Sequence, residues 1–268
     1  MHGESSTAHP RGWKSAIGHQ RKLRSYQVEN TFYQSYAKSS QARVPQCYGY
    51  TEKNGSSLLV LEDLDASGFP IRREEVNEIQ FENCISWLAQ FHADFMSKEP
   101  LGLWETGTYW HLDTRPDEWE AMKDSSLKNA AHLIDQKLKN TSFQTLVHGD
   151  AKLANFCFGA QDQIAGLDFQ YIGGGCGMKD LAYFVGSCMG EEECEKNESF
   201  ILNHYFQELE EAMGQNVAAI EQEWRPLYCF AWADFHRFLK GWSPSHWKIN
   251  DYSERVCREV LKALGETN

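Results

Sequence analysis

This 268-residue chain has no Cys-x-x-Cys pair, no Gly-Lys dipeptide and no Gly-x-Ser-x-Gly. Without Cys-x-x-Cys, the eight cysteines at 47, 84, 157, 176, 188, 194, 229 and 257 are scattered, mostly in apolar segments, and read as reduced core residues. A zinc site from Cys188, Cys194 and a histidine would match no common ligand spacing. Without Gly-Lys there is no Walker loop, and without Gly-x-Ser-x-Gly the familiar sign of an α/β-hydrolase nucleophile is gone. Long hydrophobic runs are missing as well. The longest purely aliphatic stretch, Leu58 to Leu61, is far short of a membrane span, and no apolar run follows Met1. The expectation is a soluble, cytoplasmic chain with no membrane partner. Positive charge is scarce: a formal net charge of −12 argues against a nucleic-acid partner, which would call for a basic stripe.

What remains is the composition of an ordinary globule, long enough for two unequal lobes. Residues 1–20 show no apolar periodicity and read as a poorly ordered lead-in. From Leu23 to Tyr36 the positions Leu23, Tyr26, Phe32, Tyr33 and Tyr36 recur at helical spacing, with Glu29 among them. Runs at 46–51 and 57–62, parted by Asn54-Gly55, predict a hairpin. Residues 21–64 thus form a partial N-terminal lobe of helix and hairpin, and residues 65–268 a mainly helical C-terminal lobe. In that lobe Val76, Ile79, Cys84, Leu88, Phe91 and Phe95 share a face of a long helix over 74–96. Further helices are predicted over 127–138, 192–213, 217–241 and 252–264.

The helical pattern is interrupted at Leu146-Val147-His148-Gly149-Asp150-Ala151-Lys152-Leu153-Ala154-Asn155, followed by two short apolar runs at 156–158 and 164–168 around a polar turn. If the runs pair as a hairpin, Asn155 before the first and Asp168 at the end of the second meet at one end of the ribbon. Magnesium takes hard oxygen donors and needs only one or two from protein beside substrate phosphates, which Asn155 and Asp168 supply. Phosphoryl transfer asks further for a carboxylate at the attacking hydroxyl and a nearby positive charge, roles that suit Asp150 and Lys152. His148 reads as structural packing of the loop.

His148-x-Asp150-x-x-x-x-Asn155 followed by Asp168 resembles the catalytic and metal loops of the protein-kinase-like superfamily. His148-Gly149-Asp150 and Asp168-Phe169-Gln170 are most similar to the aminoglycoside phosphotransferase, choline kinase and ecdysteroid kinase-like branch. The resemblance implies an α+β, two-lobe fold and a kinase that uses ATP and Mg2+ to phosphorylate a hydroxyl of a small molecule. It assigns Asp150 as base, Lys152 to the migrating phosphoryl, Asn155 and Asp168 to the metal, and Asp180 of Lys179-Asp180-Leu181 as the brace of the catalytic loop. Leu61, Glu62, Asp63 and Leu64 resemble the segment joining the lobes, whose backbone would meet the adenine, and Glu29 the partner of an ATP-binding lysine. The branch's glycine-rich loop and that lysine have no counterpart: no strand-like run precedes Glu29, and neither Lys14 nor Lys22 sits in one. A truncated or pseudokinase-like binding module is therefore the competing reading. A metal-dependent hydrolase using the same carboxylates ranks third.

Two further features have bland expectations. Gly173-Gly174-Gly175-Cys176-Gly177 reads as a flexible segment. The aromatic series Trp224, Tyr228, Phe230, Trp232, Phe235, Phe238, Trp242 and Trp247 reads mainly as core, with some rings and Asp234 as a minority candidate for a cationic acceptor's pocket.

Overall fold

The computed structural model describes residues 16–54 and 56–266, so residues 1–15, with Lys14 and most of the expected lead-in, lie outside it, as does Gly55 of the expected turn. Helix α1 (Ala16–Ser35) begins ahead of Arg21, where structure was expected to start. Val28, Phe32 and Tyr33 are its buried face, whereas Leu23 and Tyr26, expected on that face, are exposed. The reason is the narrow strip along which α1 meets the body. Phe32 lies 4.0 Å from Phe169 in a stack and packs on Phe91 and Phe95 of the next helix. The N-terminal unit therefore shares the main core.

Strands β1 (Cys47–Lys53) and β2 (Ser56–Leu61) form the expected antiparallel hairpin. Asn54 supplies its left-handed turn residue (φ 53°), a conformation asparagine tolerates. Helix α2 (Glu78–Asp94) starts later than the apolar pattern predicted. Asn77 caps it, accepting from the Gln80 amide while the Gln80 side chain accepts from Asn77 N–H, a reciprocal capping box. Ile79, on the exposed side of the first turn, misses the core that Cys84, Leu88 and Phe91 enter.

A long irregular stretch, 95–115, leads to α3 (Pro116–Ala121) and α4 (Ser125–Lys139). Then come β3 (Thr145–Val147), the loop 148–155, and the hairpin of β4 (Phe156–Phe158) with β5 (Ile164–Gly166). Ile71, in the connector after β2, bridges Phe158 at the hairpin's edge. Strand β6 (Gly173–Gly175) pairs antiparallel with β3. The glycine run is thus a buried strand and not a flexible segment: a Cβ at Gly173 would sit 2.2 Å from the Trp104 carbonyl oxygen, and one at Gly177 2.5 Å from the Tyr205 hydroxyl.

Helices α5 (Met178–Cys188), α6 (Glu191–Met213), α7 (Ala218–Trp224), α8 (Tyr228–Trp242) and α9 (Asp251–Ala263) complete the body. The single helix expected over 217–241 is two, separated by a turn containing Pro226. No helix among the described residues is long and apolar enough to cross a membrane.

Candidate functional site

The loop between β3 and β4 is shaped by Gly149 and Asp180. Gly149 has φ 81°, and a Cβ there would lie 2.0 Å from the Tyr171 carbonyl oxygen, so only glycine lets the chain turn between His148 and Asp150. Asp180, wholly buried on the first turn of α5, accepts from the His148 amide at 2.5 Å, the Gly149 amide at 2.9 Å and His92 Nε2 at 3.1 Å. Burial alone would raise its pKa. The hydrogen bonds from His92 and the loop outweigh burial and hold it below the usual aspartate value. The His148 ring accepts from the Asp150 amide through Nδ1 (3.2 Å), meets the Leu167 carbonyl through Nε2 (3.0 Å), and packs 4.7 Å from Phe169. Both residues thus hold the loop without lining the open space.

Asp150 emerges from this loop almost fully buried. Its Oδ1 accepts from the Tyr183 hydroxyl at 3.1 Å, and its Oδ2 from Lys152 Nζ at 2.7 Å and Asn155 Nδ2 at 3.1 Å. Desolvation dominates and raises its pKa against the pull of Lys152, with Asp168 pushing the same way as burial. The Asn155 amide nitrogen also donates to the Asp150 carbonyl at 2.8 Å, and among the described residues the amide oxygen carries no hydrogen bond.

The β4–β5 hairpin brings the next group in. Leu167 N–H donates to the Asn155 carbonyl at 3.0 Å, and Asp168 follows directly. Asp168 has φ 68°, left-handed and disfavoured for a side chain with a Cβ by about 1–2 kcal/mol. Phe169, plugged between α1 and α2, enforces it. Among the described residues Asp168 Oδ1 is buried with no hydrogen-bond partner. A buried carboxylate oxygen left unpaired is costly and calls for a ligand. The donors here, a carboxylate oxygen and an amide oxygen, are the hard kind that suits Mg2+. Among the described residues no cluster of three or more His, Cys, Asp or Glu side chains could hold a metal ion.

Asp150, Lys152 and Asp168 open into one cleft of about 1220 Å³, open solvent included. Glu29, Leu61, Glu62, Asp63 and Leu64 do not line it. Glu29 accepts from Gln170 Nε2 at 3.2 Å, while Lys22 donates to Gln170 Oε1 at 2.8 Å, so Gln170 stands between carboxylate and ammonium. Burial first, then Asp168, pushes Glu29 up to about 7. Glu62 is held down to about 2, chiefly by the Arg43 guanidinium at 2.5 Å, and also accepts from Gln46 N–H. Asp63 caps the following turn through Asp65 N–H at 2.9 Å. Leu64 is buried against Cys157 and Ala165. Among the described residues the Glu62 carbonyl and the Leu64 N–H carry no hydrogen bond.

The pattern missed the cleft's other walls. Tyr109 and Arg115 come from the irregular stretch, which has no periodic signal. Tyr109 N–H donates to the Gly149 carbonyl at 3.0 Å and ties that stretch to the loop. Arg21 and Lys22 come from the first turns of α1, and Lys248 from the connector after α8. Phe235, Phe238, Trp242 and Trp247 line the cleft. Asp234 does not. That carboxylate is wholly buried, accepts from Arg237 at 2.6 Å and Trp110 at 2.9 Å, and lies 3.6 Å from Lys179, away from the cleft.

A sequence model of the ecdysteroid kinase-like family matches residues 21–99 and 104–216, more than half of the chain. Curated proteins yield no sequence match. Among solved structures, a microcompartment-associated aminopropanol kinase is 17% identical and aligns over 96% of this chain and 82% of its own, with a TM-score of 0.53. For choline kinase LicA from Streptococcus pneumoniae the values are 15%, 94%, 84% and 0.51. Amicoumacin kinase hAmiN, solved with AMP-PNP, Ca2+ and amicoumacin, gives 12%, 94%, 78% and 0.52. At these identities the likeness is one of fold: the α+β architecture is the protein-kinase-like one, with a small N-terminal lobe and a mainly helical C-terminal lobe.

Proposed function

This chain belongs to the ecdysteroid kinase-like family, and from that premise we propose a phosphotransferase that uses ATP and Mg2+ to phosphorylate a hydroxyl of a small molecule. The observation that carries the reading is Asp168: a buried, unpartnered carboxylate oxygen on strained backbone, opening into the same cleft as Asp150. Asp168 and the Asn155 amide oxygen would hold Mg2+, which, when bound, neutralises charge on the nucleotide phosphates.

Asp150 serves as base. Each of its oxygens has a second lone pair, so Oδ1 can accept the acceptor's hydroxyl proton while Tyr183 holds the carboxylate in orientation. Desolvation, which raises its pKa, makes it a better proton acceptor at neutral pH. Lys152 keeps Asp150 ionised and offers its ammonium to the migrating phosphoryl. On the nucleotide side, the Glu62 carbonyl and Leu64 N–H, two residues apart, form an acceptor and donor pair suited to an adenine edge. Lys22, beside Glu29 and facing the cleft, supplies positive charge for the phosphates.

The alternative, a non-catalytic binding module, draws on one observation: Glu29 has Gln170 as its partner and, among the described residues, no lysine. Calorimetry with Mg-ATP separates the readings. Saturable binding that needs both magnesium and Asp168, with acceptor phosphorylation abolished in Asp150→Ala, is the expected outcome. Binding without turnover across a panel of small alcohols favours the module, and no binding by the folded chain refutes both nucleotide roles.

A further inference from the structure

We propose that the cleft's acceptor half takes an apolar compound bearing an acidic group, and that Lys248 is the residue that recognises the acid. Calling that compound the acceptor rests on the phosphotransferase reading; the binding claim does not. The Lys248 ammonium lies 4.8 Å from the centre of the Tyr183 ring, 5.4 Å from Trp247 and 5.5 Å from Phe235. These rings hold a positive charge by their faces, Tyr183 and Phe235 from the buried side and Trp247 from the exposed one. Among the described residues Lys248 Nζ has neither a hydrogen bond nor an ion pair. The cleft's other lysines and arginines have hydrogen-bond partners: Lys152 on Asp150, Arg115 on Glu118 at 3.0 Å and the Tyr109 carbonyl at 2.6 Å, Arg21 on the Thr114 carbonyl at 2.7 Å and Lys22 on Gln170 at 2.8 Å.

The preference follows from what each class of ligand would do to this ammonium. A neutral apolar ligand would strip its remaining water and return no partner, which is costly for a charge. A cationic ligand would add repulsion; Asp150, the carboxylate that acts on Lys248, is already engaged by Lys152, Asn155 and Tyr183, and Asp234 is buried with Arg237 and Lys179. An acid forms a charge-assisted hydrogen bond in a low-dielectric pocket, while its apolar body lies against Trp247 and Phe235. Burial already pushes Lys248 down to about 8 against the pull of Asp150.

The test uses three matched probes on the full chain by calorimetry, without nucleotide: 6-hydroxy-2-naphthoate, its carboxamide and its aminomethyl analogue. The carboxylate is expected to bind about tenfold more tightly than the amide, and the amine most weakly. In Lys248→Met the carboxylate's advantage disappears and the amide's affinity stays within about twofold, whereas Lys248→Arg retains the preference. Mg-ATP affinity is expected to be unchanged in Lys248→Met. The proposal is overturned if the carboxylate shows no saturable binding, if the amide or amine equals it, or if its advantage survives in Lys248→Met. Weakened Mg-ATP binding in that variant also overturns it, by moving Lys248 to the nucleotide phosphates. Carboxylate preference in a chain that binds no Mg-ATP refutes the phosphotransferase reading and leaves this one standing.

Discussion

Replacing Asp180 by alanine should unfold the loop that carries Asp150 and threaten the whole domain. Three buried donors, the amides of His148 and Gly149 and His92 Nε2, converge on this one carboxylate. Each orphaned buried donor costs about 1–3 kcal/mol, and a water entering the vacated space can recover part of that, so the expected loss is about 3–6 kcal/mol. Against a typical domain stability of about 5–15 kcal/mol, that removes much of the margin. Asp180→Asn keeps one acceptor oxygen in nearly the same volume and is expected to lose roughly half as much. Urea denaturation followed by tryptophan fluorescence measures both. The pH dependence has a definite sign. Because the folded-state pKa of Asp180 is depressed, its contribution is present above the ordinary aspartate pKa and is lost as pH falls through the folded value. The wild-type stability advantage over Asp180→Asn should therefore shrink toward strongly acid pH. An Asp180→Ala variant that loses under about 1 kcal/mol, or a gap to Asp180→Asn that does not change with pH, would refute the assignment of Asp180 as the brace.

Other substitutions separate strain from function. Asp168→Gly removes both the left-handed penalty and the unpaired buried oxygen, so the ligand-free chain is expected to gain about 1 kcal/mol in thermal or urea unfolding while losing any Mg-ATP-induced stabilisation. A destabilised Asp168→Gly would mean that the carboxylate has a structural partner. Gly149→Ala, whose Cβ meets the Tyr171 carbonyl, should cost about 2 kcal/mol or more and broaden the fluorescence of the loop's surroundings; an unchanged denaturation midpoint would contradict the close approach. Lys152→Met removes the charge that pulls the Asp150 pKa down, so the acid limb of the turnover profile should move to higher pH; a shift to lower pH, or none, would show that Lys152 does not set the ionisation of Asp150.

Local sequence carried the loop well and the cleft poorly, for a physical reason. His148 to Asp168 is one short, continuous piece of chain whose turn chemistry and strand lengths set its backbone pairing, so the approach of Leu167, next to Asp168, to the Asn155 carbonyl followed from hairpin geometry. The helices were legible wherever a face met the core, as at Cys84, Leu88 and Phe91, and misread where a helix touches the body along a narrow strip, as at Leu23 and Tyr26. Gly173 to Gly177 looked flexible because glycine permits freedom. Here it serves close packing, which depends on Trp104 and Tyr205, distant in sequence.

The cleft's specificity was invisible for the same reason. Lys248 lies in a connector without periodicity, and nothing local marks it. Its character comes from Tyr183 on α5, Phe235 on α8 and the neighbouring Trp247, brought together by the packing of α5 on α8. Asp234 makes the complementary point. It reads as an acidic residue amid aromatics and invites a cationic ligand, yet one helical turn away Arg237 claims it, and Lys179 from α5 closes the network. The negative charge of Asp234 is thus spent inside the protein, and Lys248 stands in the cleft with no ion pair among the described residues. A sequence pattern can therefore bring Asp150, Lys152 and Asn155 together, because chain continuity sets their spacing, whereas the groups around Lys248 become neighbours only through the packing of helices.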